Sequence, residues 1–342
     1  MKAKSISVIA FSLIFSIAAY GQKSSSMQVT KTFQIGGNDS GWDYLSLNPQ
    51  STQLYISHGS RVNIVDPATG SPIAEITDTN GVHGIAFLPD TGKGYISCGK
   101  LNKVKVFDTI THKIIGEIST GQNPDALFYE PFTKKIIVGN GKSNDLSVID
   151  PSTDTVIQTI NVGGKPEAAV SDDKGRIFVN IEDKNEIVVI DAKTFTILYH
   201  WGLDKEEEPS GLAIDLKTSR LFSTCDKMLV ILDSNTGKIV KKLPIGEGCD
   251  GVVFDTKTNM IYTSNGEGNI SVIREENAYQ YTSFPNIETK KGARTIALNK
   301  MTHRLYLPTA DFSTTEKDSR GRAKILQGTF KILEVSMNKL KK

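Results

Sequence analysis

Three cysteines in 342 residues are too few to hold a chain of this length by disulfides. No apolar run after residue 20 approaches the ~18 residues that a membrane-spanning helix requires. Charge of one sign is missing as well: 40 Lys and Arg stand against 38 Asp and Glu, so no broad basic surface for nucleic acid is expected. The catalytic signatures HExxH, CxxC, GxSxG and GxxxxGK[ST] are all absent; GNGKS at 139–143 lacks the upstream glycine of the last and falls in a hairpin loop. What remains is a composition of ordinary globular type, neither collagenous nor disordered. At this length it suits two average domains or one large all-β domain.

The first residues read as an address. Lys2 and Lys4 precede an apolar stretch from Ile6 to Ala19, and small residues follow at Ala19 and Gly21. That order is the signature of a secretory signal peptide. Residues 1–21 are expected to be removed near Gly21-Gln22, leaving 22–342 as one domain in the periplasm or outside the cell. No membrane span is expected after cleavage.

The rest of the chain repeats. Short apolar runs close on Asp66, Asp108, Asp150, Asp191 and Asp233, with Arg274 in the sixth place, at steps of 41 or 42 residues. Three residues after each aspartate stands a threonine: Thr69, Thr111, Thr153, Thr194 and Thr236. A row of carboxylates invites a functional reading, but Asp in the first position of a turn binds backbone amides two residues on, and turn chemistry accounts for the row. A second landmark precedes each aspartate: LYISHG, GYISCG, IIVGNG, IFVNIE, LFSTCD, IYTSNG and LYLPTA. A third lies further upstream and is rich in small residues, among them Gly84, Ala126, Ala168, Gly211 and Gly251. Four short strands in each 40–44 residues are the mark of a propeller blade. The small residues belong on the innermost strand, where blades converge.

The sequence therefore predicts an all-β, seven-bladed β-propeller of four-stranded blades spanning about 28–336. Only six blades are complete in chain order. The seventh lacks its outer strand, which residues 28–37 (QVTKTFQIGG) supply from the other end, closing the ring.

The tetrads Y-I-S-H, Y-I-S-C, Y-T-S-N and Y-L-P-T resemble those of the YVTN-repeat, YncE-like β-propeller family. Only Asn140 and Asn265 keep the final Asn; the other blades carry His58, Cys98, Ile181, Cys225 and Thr309 there. The resemblance implies an exported propeller that acts as a binding module and assigns no single reaction.

Strand polarity brings the starts of inner strands and the ends of second strands to one mouth of the channel. This places Asp43, His83, Asp125, Glu167, Ser210, Asp250 and Arg294 in a ring, with His58, Cys98, Asn140, Asn180, Cys225, Asn265 and Thr309 around it. Ligand contacts are expected from Asp43, His83, Asp125, Asn140, Glu167, Asn180, Asp250, Asn265 and Arg294. Carboxylates held this close raise one another's pKa unless a cation neutralises them. The opposite mouth receives hairpins with no comparable cluster.

Two other functional classes remain open. Asp43, His58, His83 and Cys98 mix N, S and O donors suited to zinc or copper, as a metal-handling or redox partner would need. A divalent ion held by Asp43, Asp125, Glu167 and Asp250, with His83 as base, would suit a lactonase-like hydrolase. A divalent metal ion is the one cofactor allowed for, and the partner is a small ligand or an envelope protein met by a monomer. Cys225 and Cys249 sit on one rim in neighbouring blades, close enough to suggest a disulfide. Residues 310–328 form an insertion in the seventh blade, a candidate flap that carries Arg320, Arg322 and Lys324 towards the acidic ring.

Overall fold

The repeated Asp-x-x-Thr turn sets the local geometry of the first five blades. In the computed structural model, which describes residues 27–37, 41–319 and 321–337, the carboxylate of Asp108 accepts from the amides of Ile110 and Thr111 and from the Thr111 hydroxyl at 2.6–3.0 Å. Asp66, Asp150, Asp191 and Asp233 bind their own turns in the same manner. The residue four past each aspartate donates its amide back to the aspartate carbonyl at 2.7–2.8 Å. That residue takes a left-handed backbone, at Gly70, His112, Asp154, Phe195 and Gly237. The hairpins between first and second strands, on the same rim, use the same device: Asn48, Glu130, Asp215, Asp255 and Asn299 accept from amides two or three residues on.

Between these turns the second strand of each blade is buried along nearly its whole length, covered on both faces by neighbouring blades, while the outer strands are largely exposed. The first blade is Trp42–Leu47, Leu54–His58, Arg61–Val65 and Pro72–Ile76. Five more four-stranded antiparallel sheets follow in chain order. The seventh consists of Ala297–Asn299, Arg304–Thr309, Lys331–Met337 and, on its outside, Met27–Gln34. Phe33 lies opposite Ile332 and Thr32 opposite Leu333, so the two ends of the chain share a blade as the repeat count requires. The Thr295 hydroxyl donates to the Asp43 carbonyl at 2.7 Å, tying the seventh blade to the first at the axis. Residues 1–26, which include the expected signal segment, lie outside the described residues, and no helix among the described residues is long and apolar enough to cross a membrane.

The core is divided among the seams between blades. The tetrad aromatics fill those seams. Tyr55, Tyr95 and Tyr306 are fully buried, and their hydroxyls reach His112 (3.2 Å), Asp154 (2.7 Å) and the Pro67 carbonyl (3.2 Å) on the next blade's aspartate turn. A buried tyrosine hydroxyl needs such a partner. The tetrad serines brace the axis: Ser97 donates to the Asp125 carbonyl and Ser264 to the Arg294 carbonyl, both at 2.5 Å. Inner-strand glycines are there for space. A Cβ on Gly84 would stand 3.0 Å from the Asp125 carbonyl oxygen, and one on Gly211 would stand 2.9 Å from the Val252 nitrogen.

Candidate functional site

Each inner strand begins at the same rim, and the serine braces fix the carbonyls of those first residues. Their side chains are thereby aimed into the channel mouth. His83 is the centre of the cluster: its Nδ1 lies 2.6 Å from Asp43 Oδ2 and 3.6 Å from Asp125 Oδ1. Gly99 makes room for the ring, since a Cβ there would fall 2.8 Å from His83 Nε2. On one side Lys165 binds Glu167 at 2.7 Å and also binds Glu182. On the other, Arg294 Nη1 meets Asp250 Oδ2 at 2.7 Å. Tyr44, buried beneath, has its hydroxyl pKa raised by burial and by the charges of Asp125, Glu167, Asp43 and Asp250, so one phenol feels all four carboxylates.

The electrostatics follow from crowding. Burial pushes the Glu167 carboxyl up to about 8, Asp125 adds to the rise, and Lys165 only partly opposes it. Asp125 is pushed up to about 6 by burial and by Asp43. Asp250 is raised by burial despite the Arg294 guanidinium. Burial alone would lower His83, but its hydrogen bond to Asp43 and the charges of Asp125, Asp43 and Glu167 outweigh that and raise it to about 9. Five carboxylates thus share three cations, and the negative charge is in surplus.

The ring of Asp43, His83, Asp125, Glu167, Asp250 and Arg294 is brought together as strand polarity requires. Several of its expected neighbours are not part of the open mouth. Asn140, Asn180 and Asn265 are fully buried. Asn140 donates to Asp145 and Ser147 of its own blade; Asn180 donates to the Ser210 and Gly211 carbonyls of the next; Asn265 bonds to Asn269 and Ser271. They are struts, because the second strand turns its last side chain into the seam and away from the axis. The mixed donor set also comes apart. Among the described residues, the one group of His, Cys, Asp and Glu whose ligand atoms gather within 4.8 Å is Asp43, His83 and Asp125. His58 is buried against Phe330 with ring centroids 4.0 Å apart and bonds to Asn63, while Cys98 is buried in an apolar seam that pushes its thiol up to about 12. The disulfide conceivable between Cys225 and Cys249 is not formed; both are buried free thiols, likewise pushed up to about 12.

The opposite rim is also richer in charge than its hairpins suggested. Glu130 accepts from Ser171 and its own turn, His303 meets Asp255 at 2.7 Å, and Arg220 meets Asp233 at 2.8 Å. There the charges are paired within or between turns.

Sequence reading missed Lys165 and Glu208. Both stand two residues before a ring position, in the loop that leads into it: Lys165 binds Glu167 and Glu208 lines the mouth beside Ser210. That spacing was the available signal. The insertion is a β-hairpin, Phe312–Lys317 paired with Ala323–Ile325, and Arg320 lies outside the described residues. Together with Asp250, Arg294 and Trp42 it lines a cavity of about 1030 Å³ at the mouth.

These features define a seven-bladed β-propeller with a polar, charge-crowded mouth. Residues 95–243, from the second blade through the fifth, match the model of the YNCE-like β-propeller family. Over that stretch the chain is similar to YNCE-like propellers, in line with the resemblance of its tetrads. Among solved structures it is similar to Kuenenia stuttgartiensis hydrazine synthase (15% identity over 86% of this chain and 97% of that one, TM-score 0.70). It is also similar to the WD40 repeats of RRP9 (9% identity over 91% and 100%, TM-score 0.76). Identities this low speak for the fold alone. No curated protein matches the chain.

Proposed function

We propose that this propeller is an exported binding module whose channel mouth receives the cationic part of a small ligand or of an envelope protein. The observation that carries the reading is the surplus of buried carboxylate around His83, which raises Glu167 and Asp125 well above their ordinary values. A bound positive charge would let those groups ionise and would gain binding energy from doing so. The hydrolase reading is weaker on the same evidence. A general base works best with a pKa near the operating pH, and His83, raised to about 9, holds its proton at neutrality.

The spacing of Asp43, His83 and Asp125 does favour one specific form of the cation, a divalent metal ion. Imidazole must be neutral to ligate, so at pH 7 a metal must displace a proton from His83 at a cost of ~100-fold in affinity. A metal would therefore bind markedly better at pH 9 than at pH 7, whereas an organic cation would not need His83 to deprotonate.

Calorimetric titration with butylammonium, arginine amide, Ca²⁺, Mn²⁺ and Zn²⁺, with glutarate as the anionic control, tests the proposal. Binding of at least one cation, weakened ~10-fold or more in Asp125→Asn/Asp250→Asn, is the expected result. Preference for glutarate, or equal cation binding by both forms, contradicts it. A lactone and ester panel on the same preparations addresses catalysis, and metal-dependent turnover that vanishes in His83→Ala would put the enzyme first.

A further inference from the structure

The cavity beside the charge cluster has two poles. One wall is acidic: Glu182, Glu208, Asp226 and Asp250, from the fourth, fifth and sixth blades, line it, with Lys165 bound to Glu182 from outside the lining. The other wall is basic. Lys291 and Arg294 lie at its base, and Lys317, Arg322 and Lys324 come from the inserted hairpin, with Asp318 as the one carboxylate on that side. The walls meet at the Asp250–Arg294 pair, 2.7 Å apart. Trp42 and Phe312 supply an apolar surface between them, their ring centroids 6.1 Å apart.

The hairpin is built into this position. Asp311 at its base is bound by Lys331 at 2.8 Å and by Lys290, and its amide donates to the Thr329 hydroxyl oxygen at 2.9 Å. Phe312 docks over Gly292, where a Cβ would stand 2.8 Å from the ring and where the backbone φ of +82° already favours glycine. The base is therefore anchored on the propeller while the charged strands overhang the mouth. Within the hairpin, Lys324 meets Glu316 at 2.8 Å and Arg322 meets Asp318 at 3.4 Å. Those carboxylates hold the cationic side chains in place at the cavity wall.

A ligand of one sign would be attracted by one wall and repelled by the other. A ligand with a cationic and an anionic end, and an apolar middle, answers both walls and covers the Trp42–Phe312 surface. The volume, at the upper end of the ~300–1,000 Å³ of small-molecule sites, fits a few residues of peptide. The geometry points to a zwitterionic ligand, of which a short peptide with both termini free is the simplest form, lying with its amine towards Asp250 and Glu182 and its carboxylate towards the hairpin. This rests on the cation-binding reading of the mouth and adds the second pole to it.

Calorimetry with Gly-Phe-Gly in three forms tests it: free termini, C-terminal amide, and N-acetylated. In the wild type the free peptide should bind ~10-fold more tightly than either capped form. In Lys317→Gln/Arg322→Gln/Lys324→Gln, confined to the exposed hairpin and checked by thermal melting, its advantage over the amide should fall below ~2-fold. Equal binding of free peptide and amide by the wild type, or an unchanged preference in the triple variant, overturns the zwitterion inference and leaves cation binding standing. An acetylated peptide that binds as well as the free one overturns both.

Discussion

Carboxylates stand in two kinds of place in this ring, and the contrast between them separates architecture from chemistry. On the outer turns Asp108, Asp150 and Asp191 are half-buried, each receiving hydrogen bonds from the turn it starts. The amide and hydroxyl of Thr111 lower Asp108, those of Ser152 bring Asp150 to about 2, and the Thr194 amide lowers Asp191. At the mouth Glu167 is buried and Asp125 and Asp250 are half-buried, and all three are raised, with too few cations to answer them. The turn carboxylates recur in the first five blades because those blades need the same turn. The mouth residues differ from blade to blade, since the backbone asks for nothing particular there. Regularity marks what the fold requires, and departure from it marks where a ligand can be served.

The sharpest way to break the comparison is to disturb a satisfied carboxylate. Glu130 is fully buried on the rim opposite the mouth and accepts from the Phe132 and Thr133 amides and from two hydroxyls. Glu130→Ala strands those donors and should cost about 2–3 kcal/mol in urea unfolding without altering cation affinity. A loss of affinity at unchanged stability would show that the two kinds of carboxylate do not divide as described.

The mouth should respond in the opposite sense. Glu167 goes from its ordinary 4.5 to about 8 on folding, so between those values the folded ring binds more protons than the unfolded chain, and stability falls as pH rises. His83 adds to the fall between about 6.5 and about 9, where its favoured charge is lost. Glu167→Gln should flatten this slope and raise the melting temperature at pH 8 by roughly 3–5 °C. A parallel pH profile in the variant would contradict the crowding argument.

The smallest effect is expected from the thiols. Cys98, Cys225 and Cys249 are buried and pushed up to about 12, so native protein at pH 8 should take up no iodoacetamide over an hour, and unfolded protein three equivalents. Rapid labelling of any of them in the native state would return sulfur to the list of reactive groups.

The sequence carried the ring almost whole, because a period of about 42 residues with fixed turn chemistry leaves one architecture that buries each blade on its neighbours. Strand polarity then placed the six charged ring residues at one mouth. What it did not carry were relations across seams. His58 stacks on Phe330, 272 positions away, only because the closing blade joins both ends of the chain. Asn140 and Asn265 looked like mouth residues, yet the pleat turns them into the seam. Lys165 was legible only through its place two residues before Glu167, which it binds. The acidic side of the cavity draws Glu208 from a stretch, EEE at 206–208, that reads as plain solvated charge.

The titration of His83, followed by NMR of its ring protons with His83→Gln to assign the signal, tests the central claim most directly. Surplus carboxylate at the mouth requires a midpoint near 9 in the free protein, falling when a cation occupies the site. A midpoint near 6.5, indifferent to added cations, would contradict it.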